Sequence, residues 1–241
     1  MKPSGSHEIE LGSDERLDLF MNGNLKIIQS KGGYRFSIDA ILLSEFVTIK
    51  PGDVVVDLGT GCGIIPLVLL LKRPLRQAVG VEIQRELASQ AARNALLNGF
   101  GDKMRVIRGD IRHPPIAAGS ADVVLCNPPY RKANSGRINP DLRRAIARHE
   151  LLSSISDILE TASKILRSRG RFAIIYPAGR LVGIAVRMRR FNLEPKRIRI
   201  TYPNLTSGAK LALIEASLGA KPGVEIETPI IGQNFSDGES P

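Results

Sequence analysis

From Asp53 onward the chain alternates short apolar runs with stretches of helical periodicity, and this alternation limits the fold more than any other feature. It predicts strands over Val54–Asp57, Ala78–Glu82, Met104–Arg108, Ala121–Cys126 and Phe172–Tyr176. Helices are expected over Ile64–Leu71, Glu86–Leu97, Leu151–Leu166 and Gly179–Phe191. In the third, Leu151, Ile155, Ile158, Ala162 and Ile165 recur at helical spacing. Strand and helix in repeated succession read as a parallel sheet with helices on both faces, a doubly wound α/β fold. The runs Arg197–Tyr202 and Leu211–Ser217 are separated only by a turn with Pro203, Asn204 and Gly208, too short for a crossover helix. They predict an antiparallel pair at the C-terminal edge of the sheet.

Before Asp53, Leu25–Ser30 and Tyr34–Phe36 flank Lys31-Gly32-Gly33 and predict a short hairpin. A helix capped by Ser37 should follow, with Ile41, Leu42, Phe46 and Ile49 on one face and Pro51-Gly52 as its stop. Residues 1–23 are polar and slightly acidic, and 232–241 are rich in Gly, Ser, Asp and Pro, so both read as flexible ends around a single domain over 24–231. A length of 241 residues with 43% hydrophobic content suits one core. The longest apolar run, Ile64–Leu71, falls well short of the ~18 residues of a membrane span, and Met1–Glu10 lacks the apolar centre of a secretory leader. Cys62 and Cys126 each sit in an apolar segment as buried thiols would, which suits a reducing cytoplasm. The three histidines, His149 among them, are scattered without ligand spacing, so no metal is expected.

The formal net charge is +10, and the stretch Lys164–Arg199 alone holds 11 basic residues against one acid, Glu194. A polyanion such as RNA fits, because neutralised phosphates release counterions; on charge alone a solvated basic face fits as well. Arg187, Arg189 and Arg190 are the candidate contacts there. Arg131 and Lys132 are further candidates, from a segment, Arg131–Glu150, with six basic and two acidic residues that reads as a loop beside the site.

The first strand runs into Asp57-Leu58-Gly59-Thr60-Gly61-Cys62-Gly63. Alternate glycines allow a sharp turn and close passage of the backbone past a ligand at a helix N-terminus. Glu82 ends the second strand, where a carboxylate can accept both hydroxyls of a ribose. Asp110, in Gly109-Asp110-Ile111, follows the third and is placed to accept from an exocyclic adenine amine. With Asp57, three carboxylates stand at the carboxyl ends of successive strands, where open α/β sheets bind ligands, and they suit a cation carrying a nucleoside. The fourth strand ends in Asn127-Pro128-Pro129-Tyr130, whose prolines stiffen the turn. Asn127 offers a side-chain carbonyl and Pro128 a backbone carbonyl as acceptors for an amine, while Tyr130 offers a flat face for a base. Two acceptors can orient an amine and direct its lone pair, so that positioning does much of the work.

In order and spacing, D-L-G-T-G-C-G, V-G-V-E and G-D-I resemble the cofactor motifs of class I S-adenosylmethionine-dependent methyltransferases. N-P-P-Y resembles the catalytic turn of those that act on a planar, conjugated nitrogen. Over roughly residues 24–232 the chain resembles in particular the bacterial tRNA adenine-N6 methyltransferases that modify the purine 3′ of the valine anticodon, sharing F-S-I-D-A-I-L-L and the ending Ala209–Ser217. The resemblance implies a Rossmann-like, mostly parallel sheet, S-adenosyl-L-methionine as cofactor and tRNA as substrate. It assigns cofactor contacts to Asp39, Asp57, Gly59, Gly61, Gly63, Glu82, Asp110, Ile111 and Asn127, and catalysis to Asn127, Pro128 and Tyr130. Asp39 also reads as a first-turn acid that complements its helix dipole. Alternatives are a release-factor glutamine N5-methyltransferase, a ribosomal RNA guanine-N2 methyltransferase, and a protein that binds the cofactor without catalysis. Release-factor enzymes carry an extra N-terminal helical domain, for which the residues before Asp53 leave no space, and guanine-N2 enzymes usually have Phe in the place of Tyr130.

Overall fold

The computed structural model describes residues 10–32, 37–128 and 155–232. Two strands precede the main sheet: β1 (Glu15–Phe20) pairs antiparallel with β2 (Leu25–Ser30), Phe20 opposite Leu25. Their turn passes through Met21, Asn22 and Gly23 at φ of 53°, 56° and 83°, left-handed values that Asn and Gly adopt at little cost. β2 thus has a partner before it in the chain; the expected hairpin with Tyr34–Phe36 lies outside the described residues. The pairing also makes a strand of part of the segment read as a flexible end. The anchoring is long-range: Arg93 Nη1 donates to Glu15 Oε2 at 2.8 Å. That guanidinium holds the Glu15 carboxyl down at about 2.

Helix α1 (Ile38–Phe46) begins after Ser37, which occupies the cap position but makes no side-chain capping bond. The helix stops at Phe46, before the expected Pro51-Gly52 signal, and the backbone turns extended at Val47. The next residue is captured from a distant strand, as Thr48 N and Oγ1 donate to the Glu215 carboxylate at 2.6 and 2.9 Å.

The main sheet contains β3 (Val54–Leu58), β4 (Gln77–Glu82), β5 (Met104–Arg108), β6 (Ala121–Cys126), β7 (Leu166–Pro177), β8 (Leu193–Tyr202), β9 (Leu211–Leu218), β10 (Glu225–Ile226) and β11 (Ile230–Ile231). Its order is β10-β8-β9-β7-β6-β3-β4-β5, with β11 also on β8. The antiparallel pair at the C-terminal side is present, and β9 lies antiparallel to β7 as well as to β8. One reversed strand is therefore slotted in, and β8 again points the same way as β3 to β7. Short β10 and β11 run parallel to β8 and cover its outer edge.

Side chains alternate across this sheet and so bury on two faces. Val55, Ala173 and Ile175 pack with α1, α2 (Ile64–Lys72) and Ala91 and Ala95 of α3 (Arg85–Leu97). Val56, Leu58, Phe172 and Ile174 pack with α4 (Ile155–Ile165) and α5 (Leu181–Arg190). Ile158, Ala162 and Ile165 are buried as their spacing predicts. Each fully buried Leu, Ile or Phe contributes roughly 1.5–3 kcal/mol. Among the described residues no helix is long and apolar enough to cross a membrane.

The chain builds the sheet outward from β3 through β4 to β5, then returns to β6 on the other side of β3 and continues to β7. Loops leaving the carboxyl ends of β3 and β6 therefore diverge, and such a switch point opens a ligand crevice.

Candidate active site

At the carboxyl end of β3 the glycine loop folds against β4. The amides of Gly59 and Thr60 donate to the Val81 carbonyl at 2.9 and 3.0 Å. Gly59, Gly61 and Gly63 have φ of 80°, 59° and 87°, backbone that side chains rarely tolerate. Contact adds a second constraint, since a Cβ on Gly63 would lie 2.8 Å from Met104 Cε. One on Gly80 of β4 would lie 2.6 Å from Thr60 Cγ2.

Glu82 is buried at the end of β4. Its Oε2 accepts the Gly61 amide and its Oε1 the Gln84 amide, both at 2.9 Å. The carboxylate is thus oriented by two backbone amides. Asp57 is also buried, and neither of its oxygens has a hydrogen-bond partner within bonding geometry among the described residues. Burial pushes its carboxyl up to about 7; the nearby Thr60 hydroxyl opposes this and the Glu82 charge adds to it. A buried carboxylate with no donor in bonding geometry among the described residues suits a cationic ligand.

Asp110, half-buried past β5, is already engaged: it accepts the Arg112 amide at 2.9 Å, Arg112 Nε at 2.9 and 3.1 Å, and Nη2 at 2.5 Å. The guanidinium holds this carboxyl below the usual carboxylate range. An adenine amine here would share Asp110 with Arg112. Ile111 is half-buried against the α4 side of the core. Asp39 stands half-buried in the first turn of α1, which packs on α2, β7 and β9.

Asn127 and Pro128 leave β6 half-buried. In the parallel pairing Asp57 lies opposite Leu125, so Gly59 and Asn127 each follow two residues later on neighbouring strands. The Cys126 thiol donates to the Leu58 carbonyl at 3.1 Å and ties these strand ends together. Burial raises both thiols, Cys62 to about 12 and Cys126 well above its ordinary value. Tyr130, Arg131 and Lys132 lie outside the described residues.

The sequence model of the methyltransferase small domain matches residues 37–180, a span that includes α1, the glycine loop, the three acids and the Asn127 turn. The chain belongs to the methyltransferase small domain family. It is 30% identical to the tRNA1(Val) (adenine(37)-N6)-methyltransferase of Tolumonas auensis over 188 residues, 74% of this chain and 77% of that one. Among solved structures, a "predicted O-methyltransferase" from Agrobacterium tumefaciens has the same fold, with TM-score 0.65 and 20% identity, over 80% of this chain and 86% of that one. Geranyl diphosphate methyltransferase, solved in complex with S-adenosylmethionine, matches with TM-score 0.52 and 17% identity over 74% of this chain and 83% of that one.

As a methyltransferase the chain uses S-adenosyl-L-methionine, and its residues fit that group. Asp57, to which no described residue donates within bonding geometry, suits a cationic end, and the oriented Glu82 suits a pair of hydroxyls.

The basic run of this methyltransferase is largely neutralised by acids. Among the described residues, six of its eleven basic side chains pair with acids: Lys164, Arg167, Arg171, Arg189, Arg197 and Arg199. Arg171 reaches Asp53 at 2.6 Å with both nearly buried, and Arg189 meets Glu194 at 2.8 Å. Arg187 and Arg190 are exposed and have no ion-pair partner among the described residues. All three arginines sit at the far end of α5, which runs back from the catalytic edge, roughly 15 Å for ten residues.

Arg180 is the basic residue nearer the site in the fold. It lies in the 3₁₀ turn Ala178–Arg180 that leaves β7 at the same edge as Asn127, 5.9 Å over the Tyr176 ring. Sequence reasoning also missed Thr60, Gln84 and Arg112. The two-residue spacing of Gln84 from Glu82, and of Arg112 from Asp110, was the available signal.

Proposed function

We propose that this methyltransferase transfers a methyl group to N6 of an adenosine in tRNA, the one 3′ of the valine anticodon. The observation that carries the reading is the placement of Asn127-Pro128 at the switch point, two residues past the Asp57–Leu125 pairing and beside the glycine loop. The relatives' activity, as for the Tolumonas auensis enzyme, supports adenine N6 as the target.

When bound, S-adenosyl-L-methionine supplies a methyl group on a positively charged sulfur. Asp57 and Glu82 hold its two ends, and the glycine loop lets the backbone approach. Asn127 Oδ1 and the Pro128 carbonyl accept the two N–H bonds of the amine, which turns the nitrogen lone pair into the crevice. Tyr130 covers the base, flipped out of a flexible loop. The amine proton leaves after nitrogen has become cationic, so no strong base is required.

Arg180 would meet phosphate next to the target, and Arg187 and Arg190 phosphate farther along α5, with Arg131 and Lys132 flanking the Tyr130 turn. A span of this kind suits a long polyanion better than a small substrate. The thiols of Cys62 and Cys126 and an RNA substrate suit a reducing cytoplasm.

The test is nucleoside mass spectrometry of unmodified tRNA before and after incubation with the protein and cofactor. N6-methyladenosine at the single loop position is the expected product. Asn127→Ala should lower turnover by about 10²-fold or more while S-adenosylhomocysteine still binds. Methylation of release factor with no modified RNA would overturn the reading.

A further inference from the structure

Helix α3 meets the N-terminal hairpin through two asparagines one turn apart. Asn94 accepts from the Ile28 amide at 2.7 Å and donates to the Ile28 carbonyl at 3.0 Å. Asn98 accepts from the Lys26 amide at 2.8 Å and donates to the Lys26 carbonyl at 2.7 Å. A carboxamide carries the same donor and acceptor as a peptide unit. A helical turn advances about 5.4 Å and two strand residues about 6.8 Å, so the pair substitutes for a neighbouring strand along β2.

Asn94 does one thing that Asn98 does not. Fully buried, it also donates to the Cys62 carbonyl at 3.0 Å, which places each of its polar atoms in a hydrogen bond. Cys62 lies between Gly61 and Gly63, in the loop whose Gly61 amide Glu82 holds. Glycines at left-handed φ leave that loop with much backbone freedom to lose, so its shape depends on external holds. Without Asn94, the carbonyl of the buried Cys62 would lack this donor, and the loop would relax toward any other.

We propose that Asn94 is a positioning residue that fastens the glycine loop to the β1–β2 hairpin, so that hairpin docking and cofactor affinity are coupled through one side chain. The proposal rests on the cofactor reading given above. Coupling of this kind is reciprocal: a ligand that settles the loop must also settle the hairpin.

The experiment compares Asn94→Ala with Asn98→Ala, each of which removes two hairpin bonds, while only the first removes the bond to the loop. Titration calorimetry with S-adenosylhomocysteine should show about a tenfold weaker Kd for Asn94→Ala and a change within about twofold for Asn98→Ala. Equal weakening in both, or none in Asn94→Ala, overturns the proposal. Hydrogen exchange on the wild-type chain tests it without any variant. S-adenosylhomocysteine should protect the Ile28 amide, bound to Asn94, more than the Lys26 amide, bound to Asn98, and equal protection overturns it. Failure of the wild-type protein to bind S-adenosylhomocysteine at all would count against the cofactor reading instead.

Discussion

Glu82 accepts the Gly61 amide through Oε2 at 2.9 Å, so the acid that ends β4 also pins the glycine loop that follows β3. Its other oxygen takes the Gln84 amide. Glu82→Gln puts an NH2 group against one of these two donors and removes the charge. Affinity for S-adenosylhomocysteine should fall about 10- to 100-fold, the loss of a charge-assisted bond worth roughly 1.5–3 kcal/mol. Calorimetry reads this directly, and unchanged affinity would show that the orientation of Glu82 is immaterial.

Asp57 should make the ligand-free protein less stable as pH rises. Its carboxyl is raised from 3.8 to about 7, so between those values the folded protein holds a proton that the unfolded chain has released. Stability from this group is full below the unfolded value, falls through the window, and levels above about 7, a span of roughly 4 kcal/mol. Urea unfolding across that range should show the slope in wild type and its loss in Asp57→Asn. The ammonium at the amino-acid end of the ligand reverses the preference and favours the ionised acid. Binding of S-adenosylhomocysteine at pH 6 should therefore release a proton, measured as a dependence of the binding heat on buffer ionisation enthalpy.

Gly80→Ala should destabilise the protein by about 1–3 kcal/mol through overpacking. The added methyl would lie 2.6 Å from Thr60 Cγ2 and 2.9 Å from Thr60 Oγ1. Thr60→Ser, which removes the nearer atom, should restore part of the lost melting temperature in the double variant. A simple sum of the two single effects would place the strain elsewhere.

Charge reversal at Arg187 and Arg190 should weaken tRNA binding and reduce the salt slope by about 0.7–0.9 for each lost phosphate contact. Arg189→Glu should do less, because Arg189 is already paired with Glu194 at 2.8 Å. Arg180→Glu, at the catalytic edge, should lower kcat as well as affinity. Filter binding over a range of salt, with single-turnover methylation, separates these outcomes.

The strands from Val54 to Tyr176 were legible in the sequence because a buried strand and an amphipathic helix each impose a local period on their own residues. The same holds for the glycine loop and the Asn127-Pro128 turn, where backbone limits narrow the choice of residue at each position. The partner of β2 was not read from the sequence: Asn22-Gly23 is a turn signal, but the polar composition of residues 1–23 pointed to a flexible end. Three acids at three strand ends could be placed on one edge from the order of elements alone.

What surrounds those acids was decided by the tertiary structure. That Asp57 finds no donor within bonding geometry among the described residues, while Asp110 is held by Arg112, follows from burial and side-chain direction, which spacing does not carry. The basic run loses most of its apparent concentration because its partners come from distant segments, Asp53 for Arg171 and Glu215 for Arg197. Asn94 reaches Ile28 and Cys62 across 66 and 32 residues of chain. By itself the sequence determined where the strands from Val54 to Tyr176 and the helices between them form and which residues stand near their carboxyl ends, since these depend on neighbours within a turn or a strand. Only packing decided which charges are neutralised, which acid is buried, and which asparagine reaches the Cys62 carbonyl, because each depends on groups that meet only when the sheet closes.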